Sequence, residues 1–396
     1  GTAGATDDGG AGSGGTADAS DAEGGGADPF ADPAFSIDTS IVPSGVAPTG
    51  CDGGLDLATG KLTLTLDSQV PVLLIRGVGS EITANGVTCT ASGGVKATVD
   101  NTLSIQINGT ADADKVILDY STGSFGSKIY SKSGGGIHID LGDGDDTVYF
   151  RGTTQKDSVR AGKVGDSTAV DVTSDSAADI WVTGAEKLVV SLGPGADEFR
   201  AGSLVWADAG AGSPVDVPMI VFGDADDDTL QGGSKNDELN GGAGEDSFEA
   251  SDLVNGSDII NGGDGKNTIS YAGRTGAITA TLCISSALVG CPASSCDCSA
   301  DDGEVGELDN LVNIHHIIGG SAGDTLTGTS GADTLDGRSG DDTLYGMEGA
   351  DSLLGGPGTD TLYGGTGVDT FDCGDGDADV VGDYEAGESK TNCELP

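Results

Sequence analysis

The sequence predicts an all-β fold, a right-handed parallel β-solenoid behind an N-terminal, disulfide-stapled β cap. Three observations predict it. Gly supplies 71 of 396 residues and aromatics only 4%, a composition that disfavours helices and a wide core. Short alternating segments fill the first hundred residues, as half-buried strands do. A nine-residue pattern then recurs to the end, and a fixed internal period outranks other sequence signals.

Residues 1–35 are Gly, Ala, Asp and Ser in low complexity. They have almost nothing apolar to bury and read as a flexible tether or spacer. The chain begins at Gly1 and has no Lys or Arg before Lys61. The expectation is a mature form without a transit peptide. Residues 36–106 read as the β cap. KLTLTLDS (61–68) alternates strictly, and PVLLIRGV, GVKATVD and TLSIQIN read as further strands. Cys51 and Cys89 flank the best of them and are expected to pair.

Residues 107–270 hold loose copies of the nonapeptide and read as an irregular solenoid. GTADADKVI (109–117), LGDGDDTVY (141–149), GTTQKDSVR (152–160) and LGPGADEFR (192–200) are the earliest. GDADDDTLQ, GGSKNDELN, GGAGEDSFE, LVNGSDIIN and GGDGKNTIS follow over 223–270. Residues 271–318 are a Cys-rich excursion. Residues 319–372 divide into six contiguous copies, from GGSAGDTLT to GGTGVDTFD. Residues 373–396 are expected to cap the last coil, with Cys373 paired to Cys393. Cys296 and Cys298 are too close to pair comfortably, so each should join Cys283 or Cys291. The spacing C-x7-C-x4-C-x-C lacks the paired hooks of a zinc site.

The period has physical consequences. Gly at positions one, two and four permits a tight turn over the first six residues. The last three residues form a short strand with its middle side chain inward. Leu326, Leu335, Leu344, Leu353, Leu362 and Phe371 are those side chains. Two nonapeptides make one coil of 18 residues, and coils stack about 4.8 Å apart. Stacking superposes the sixth-position carboxylates: Asp324, Asp342 and Asp360 on one edge, Asp333, Asp351 and Asp369 on the other. Such columns repel unless a cation lies between them. Carboxylates plus turn carbonyls, all oxygen and flexible, suit Ca²⁺ better than Mg²⁺. Softer metals would want His or Cys. Ten acids face the single base Arg338 in this block, so folding should wait for the metal. Further metal ligands are expected at Asp146, Asp228, Asp237, Asp246 and Asp258.

The motif resembles the RTX (hemolysin-type) calcium-binding nonapeptide, GGxGxDxUx with U a large aliphatic. The handedness of the period aside, the resemblance implies a parallel β-roll with several Ca²⁺ ions held between turns by the sixth-position Asp and turn carbonyls. It is strongest over 319–372, good over 223–270 and weakest over 107–200. The 51–89 and 271–318 regions resemble stretches of secreted bacterial proteins of this type. Departures are expected to weaken sites: Asn267 stands in for Asp, and Lys235 and Asp226 replace the fourth-position Gly, where a side chain at positive φ costs about 1 kcal/mol.

Other constellations carry little chemistry. Gly319–Gly323 matches G-x-S-x-G, but a strand follows it where a nucleophile elbow needs a helix. Gly10–Gly15 fits G-x-G-x-x-G without a preceding strand. His315–His316 lacks a third ligand and reads as flanking a strand, and His138 as a strand residue. Asp375, Asp377 and Asp379 begin like an EF-hand loop but lack its Gly and terminal Glu, and read as a last degenerate turn. The acidic loop 301–310 is either another Ca²⁺ site or a solvated face. The sequons at Asn108 and Asn255 are uninformative in a bacterial protein. A formal charge of −48 excludes electrostatic binding to nucleic acid or anionic lipid. No apolar run approaches a membrane span. The expectation is a calcium-binding protein, not an enzyme, at an extracellular or cell-surface location, with a structural or adhesive role. The alternatives are a subunit that self-assembles into a fibre or surface layer, and a carbohydrate-active solenoid enzyme.

Overall fold

The computed structural model describes residues 46–67, 72–122, 125, 129, 135–173, 177–203, 205–206, 210–250, 256–283, 302–376 and 378–393. The low-complexity tail and Cys291, Cys296 and Cys298 lie outside the described residues. Among those described, sixteen strands make one sheet, ten a second and six a third. Along the regular block the chain alternates between the first sheet and the third, with one core strand per nonapeptide, and two short turn strands, Glu348–Gly349 and Thr366–Gly367, pair outside these sheets. Thr325, Thr343 and Thr361 stand in register on one side, and Thr334, Ser352 and Thr370 on the other. All these pairings are parallel, and the coil is 18 residues as the period requires. Leu326, Leu335, Leu344, Leu353, Leu362 and Phe371 are fully buried in one continuous core. The core is one side chain per strand because each strand is only three residues long, with one residue facing in. The chain is a parallel β-roll.

Parallel rungs begin well before the regular repeats. Lys61–Thr65 pairs with Ser104–Asn108, and that strand with Gly136–Asp140. On the other side Val72–Arg76 pairs with Lys115–Asp119, which pairs with Thr147–Arg151. Two hairpin strands, Glu81–Ala84 and Val87–Thr88, close that side. The expected strand at 94–100 makes only isolated bridges, at Lys96 and Thr98, and 81–88 takes its place. Cys51 and Cys89 are bonded, as are Cys373 and Cys393. Cys283 is also disulfide-bonded.

Two insertions interrupt the coils without breaking the sheets. Ser158–Val164, Ser167–Asp171 and Ile180–Thr183 form an antiparallel meander spliced into the first sheet. Its outer strands pair in parallel with Glu198–Arg200 and Gly136–Asp140. The second insertion is the excursion after Tyr271. Ile278–Thr281 advances to pair with Thr325–Thr327, and Asn310–Val312 returns to fill the rung beside Ile259–Asn261. Buried Arg274 clamps it: the guanidinium donates to Glu307 at 2.7 Å and to the Ala250 carbonyl at 2.6 Å. Most of the acids in the 301–310 loop are therefore not solvated. Asp302, Glu307 and Asp309 are buried. Asp302 accepts from the Thr281 amide.

The last rung, Ser389–Thr391, pairs only at its inner edge, with Thr370–Asp372, among the described residues. The Cys373–Cys393 bond spans 20 residues, and closing a loop of that size is worth about 3 kcal/mol. Cys393→Ser should leave the coils before Phe371 intact and loosen that rung. Hydrogen exchange at 389–391 is expected to quicken by at least about tenfold; unchanged exchange would show that packing alone holds the rung.

Candidate metal centre

Most strands of the roll from Lys115 onward are preceded by an acidic or amide residue, usually buried, and these stack into two rails. The first sheet carries Asp157, Asp197, Asp228, Asp246, Asn267, His315, Asp333, Asp351 and Asp369. The other side carries Asp114, Asp146 and Glu186, then Asp237, Asp258 and Asp309, then Asp324, Asp342, Asp360 and Asp379. All eleven Asp residues expected as ligands lie on these rails and all are buried. The structure adds Asp114, Asp157, Asp197, Asp309 and Asp379. Four of these occupied the sixth position of a loose copy or the tail turn, so the pattern carried the signal. Asp309 carried none, because the excursion places it.

One hydrogen bond builds most of the rails. The amide of one rail residue donates to a carboxylate oxygen of the rail residue one coil on. Among the exceptions are His315 and Asp309, whose amides go to the Asn267 and Asp302 carbonyls. The Asp324 amide meets Asp342 at 2.7 Å, that of Asp342 meets Asp360 at 2.9 Å, and that of Asp360 meets Asp379 at 2.9 Å. Opposite, the Asp333 amide meets Asp351 and that of Asp351 meets Asp369, both at 2.9 Å. The same bond joins Asp228 to Asp246, Asp237 to Asp258 and Asp258 to Asp309.

The second carboxylate oxygen sorts the turns into two kinds. In the self-capped kind, Oδ2 accepts from the amide at the second position of its own turn. Asp324 takes Gly320, Asp333 takes Thr329 and Asp237 takes Gly233, at 2.6, 2.6 and 2.7 Å. In the open kind the second residue has positive φ, and no such bond forms. Arg338, Met347, Gly356 and Gly365 have φ of 68°, 82°, 101° and 92°. Oδ2 of Asp342, Asp351, Asp360 and Asp369 is then buried without a partner, as is that of Asp228 and Asp246. Asp226 adopts φ 74° as expected for a Gly position. Lys235 does not, because its turn is self-capped and needs no left-handed residue there.

Orphaned buried carboxylate oxygens are costly unless a cation meets them. Two carboxylates one rung apart repel by about 3 kcal/mol at an effective dielectric of 20. A capping bond to a charged group returns only about 1.5–3 kcal/mol. Protonation is the alternative. Burial pushes Asp342 and Asp351 up to about 7, Asp360 to about 6 and Asp228 to about 8, with neighbouring rail acids adding to the rise at each.

The space beside these oxygens is lined by backbone carbonyls. A Cβ at Gly346 would lie 2.5 Å from Asp351 Oδ2 and 2.7 Å from the Gly364 carbonyl. One at Gly367 would meet the Gly349 carbonyl at 1.4 Å and Asp369 Oδ1 at 3.3 Å. Gly is required there by the approach of oxygen, not by the turn alone. Among the described residues no three His, Cys, Asp or Glu side chains form a metal-holding group. The donor set is one carboxylate per turn plus carbonyls, which fits a hard cation of high coordination number and not zinc. At Asn267 the rail loses its charge: Oδ1 still accepts from the Asp246 amide, and Nδ2 donates to the Asn313 carbonyl. His315 occupies the next rung, with Nδ1 buried and unpartnered.

The roll and its carboxylate rails define a calcium-binding β-roll protein. Residues 222–252, 254–272, 318–353 and 345–380 match the RTX calcium-binding nonapeptide repeat (4 copies). The chain carries RTX repeats, and such repeats bind calcium. No curated protein matches the chain.

Two outcomes follow. Asp351→Asn should raise the calcium midpoint of folding severalfold, because Oδ2 of Asp351 has no protein partner. Asp324→Asn should shift it less, since both its oxygens already accept amides. Equal shifts in a calcium titration by circular dichroism would contradict the distinction. The pH response should also invert with calcium. Raised folded-state values mean that the metal-free fold holds more protons than the unfolded chain. That stability is full below about 4 and is lost as pH rises through about 6–8. In chelator the melting temperature should therefore rise on acidification from pH 8 to 5; with calcium it should fall, since protons displace the metal.

Proposed function

We propose that the protein is an extracellular structural or adhesive module that folds on calcium, with Asp228, Asp246, Asp342, Asp351, Asp360 and Asp369 as carboxylate ligands. The observation that carries this reading is the set of buried, unpartnered Oδ2 atoms facing carbonyl-lined space. A chain of charge −48 repels itself when compact, and millimolar calcium outside the cell removes that obstacle. Extracellular modules bind calcium at about 10⁻⁴–10⁻³ M, so the rails would be empty at cytosolic calcium and filled after export. Disulfides at both ends accord with an oxidising compartment.

Among the described residues a groove in the N-terminal region is lined by Gly53–Ala58, Ala91 and Ser92. Its only carboxyl, Asp56, is engaged by Thr59 and the Ala58 amide, whereas a glycosidase needs two across the groove. Self-assembly is the second reading, favoured by the edge strand Ser389–Thr391 at the end of the long sheet.

Calcium titration with circular dichroism and light scattering tests both. The β signal should rise with Ca²⁺ and not with Mg²⁺ while the particle stays one chain in size. A chain fully folded in excess chelator would refute metal-coupled folding. Calcium-dependent growth in size would favour assembly.

A further inference from the structure

In a chain of charge −48, the five parallel strands of the third sheet present no charged side chain outward. They are Ile278–Thr281, Thr325–Thr327, Thr343–Tyr345, Thr361–Tyr363 and Val380–Val381. Ala280, Leu326, Leu344 and Leu362 face in and are fully buried. The outward positions form two columns in register. One runs Thr279, Thr325, Thr343, Thr361 and Val380; the other runs Thr281, Thr327, Tyr345 and Tyr363. The flanking strand Gly303–Glu304 has its acid 3.6 Å from buried Arg274. None of the six Thr and two Tyr hydroxyls bonds to a described residue, whereas the Thr329 hydroxyl donates to Asp333 at 2.8 Å.

The two Tyr give this face a step. Tyr345 and Tyr363 stack with ring centroids 5.1 Å apart and planes within 5°. Gly382 backs the far side of Tyr363, where a Cβ would lie 2.2 Å from Cε1. The other side of the Tyr345 ring looks toward the rung of Thr327, a smaller side chain, and Tyr345 is 37% exposed.

Charge and size select the partner. Exposed acids rim the face, Asp341 before Thr343 and Glu348 after Tyr345, and repel an anionic polymer. The five rungs cover on the order of 200 Å². A stable protein interface needs about 800 Å² per partner, so a second copy gains too little here. A neutral sugar suits both limits. Its C–H face packs on an aromatic ring, and its rim of hydroxyls meets side chains that donate and accept.

We propose that this face binds a neutral polysaccharide, with one sugar ring stacked on Tyr345 above Thr327 and the chain running on over Thr281, Thr325 and Thr279. The inference rests on the adhesive, calcium-folded reading above and names its partner class.

Retention of the full disulfide-bonded chain in calcium is measured on cellulose, chitin and a neutral β-glucan, with polygalacturonate as the acidic control. Retention is expected on at least one neutral glycan and not on polygalacturonate. Tyr345→Ala should weaken it by about tenfold, with the calcium midpoint of folding unchanged. Should that variant fold poorly, Thr327→Glu, which puts a charge in the step, should abolish retention. A folded chain retained on no neutral glycan, retention on polygalacturonate alone, or retention untouched by either substitution overturns the proposal. So does a calcium-dependent dimer that Tyr345→Ala dissociates, since a second copy then covers the face. A chain both folded and retained in excess chelator defeats metal-coupled folding and leaves the glycan face standing.

Discussion

The amide of one rail residue donating to the carboxylate one coil on is the bond on which the roll depends. It satisfies a backbone donor that the short strands leave outside the ladder. It also fixes the next carboxylate at one height and one orientation, as at Asp342 and Asp351. A carboxylate so fixed cannot turn to water, and its second oxygen stays buried. The same contact that aligns the coils therefore creates the need for a cation. Ordinary cores separate these roles, with apolar packing for cohesion and surface groups for ions. Here the core is one Leu per strand, too thin to dominate, and the charged rail carries much of the specificity.

The rail also explains how the fold tolerates insertion. The meander 158–183 and the excursion after Tyr271 add strands to opposite sides of the roll, yet sheet pairing resumes after each. Neither needs to preserve the period, because an amide and a carboxylate one rung apart are all that the next coil requires. Loop length costs little once a rung is re-formed. Asn267 and His315 mark where the charge is dropped. Asn keeps the capping oxygen and discards the repulsion, so one rail crosses the excursion with fewer buried charges than it has elsewhere.

The regular block was legible in the sequence almost residue by residue. Coil length, inward Leu positions, the two Asp columns and the terminal disulfides all follow from spacing. The hairpin strands at 81–88 were not legible, because alternation also marks their neighbour 94–100, which makes only isolated bridges. Asp309 was hidden since its rung is reached by a chain that doubles back. The distinction between self-capped and open turns lay below the sequence altogether. Gly233 and Gly320 sit at the same repeat position as Gly356 and Gly365, and Gly permits either hand. Conversely Arg338 and Met347 take the left-handed form despite its cost of about 1–2 kcal/mol. Side chains tolerate that strain where something else holds the turn.

What holds it is the stack. Positive φ at Arg338 and Met347 turns the second-position amide away from its own Asp, the Arg338 amide going instead to Asp336 Oδ1 at 3.1 Å. A self-capped turn would relieve the backbone strain and satisfy Oδ2 without any ion, as Asp324 and Asp333 do one coil earlier. The open turn gives up both advantages and leaves a buried oxygen unpaired. In the absence of a cation the self-capped form should therefore be the more stable at every rung. Within the regular block that form is confined to the first two rungs, and each open turn from Asp342 onward leaves an oxygen that a cation would satisfy. The coils after Asp333 are the part of the block whose turns would gain most from a cation.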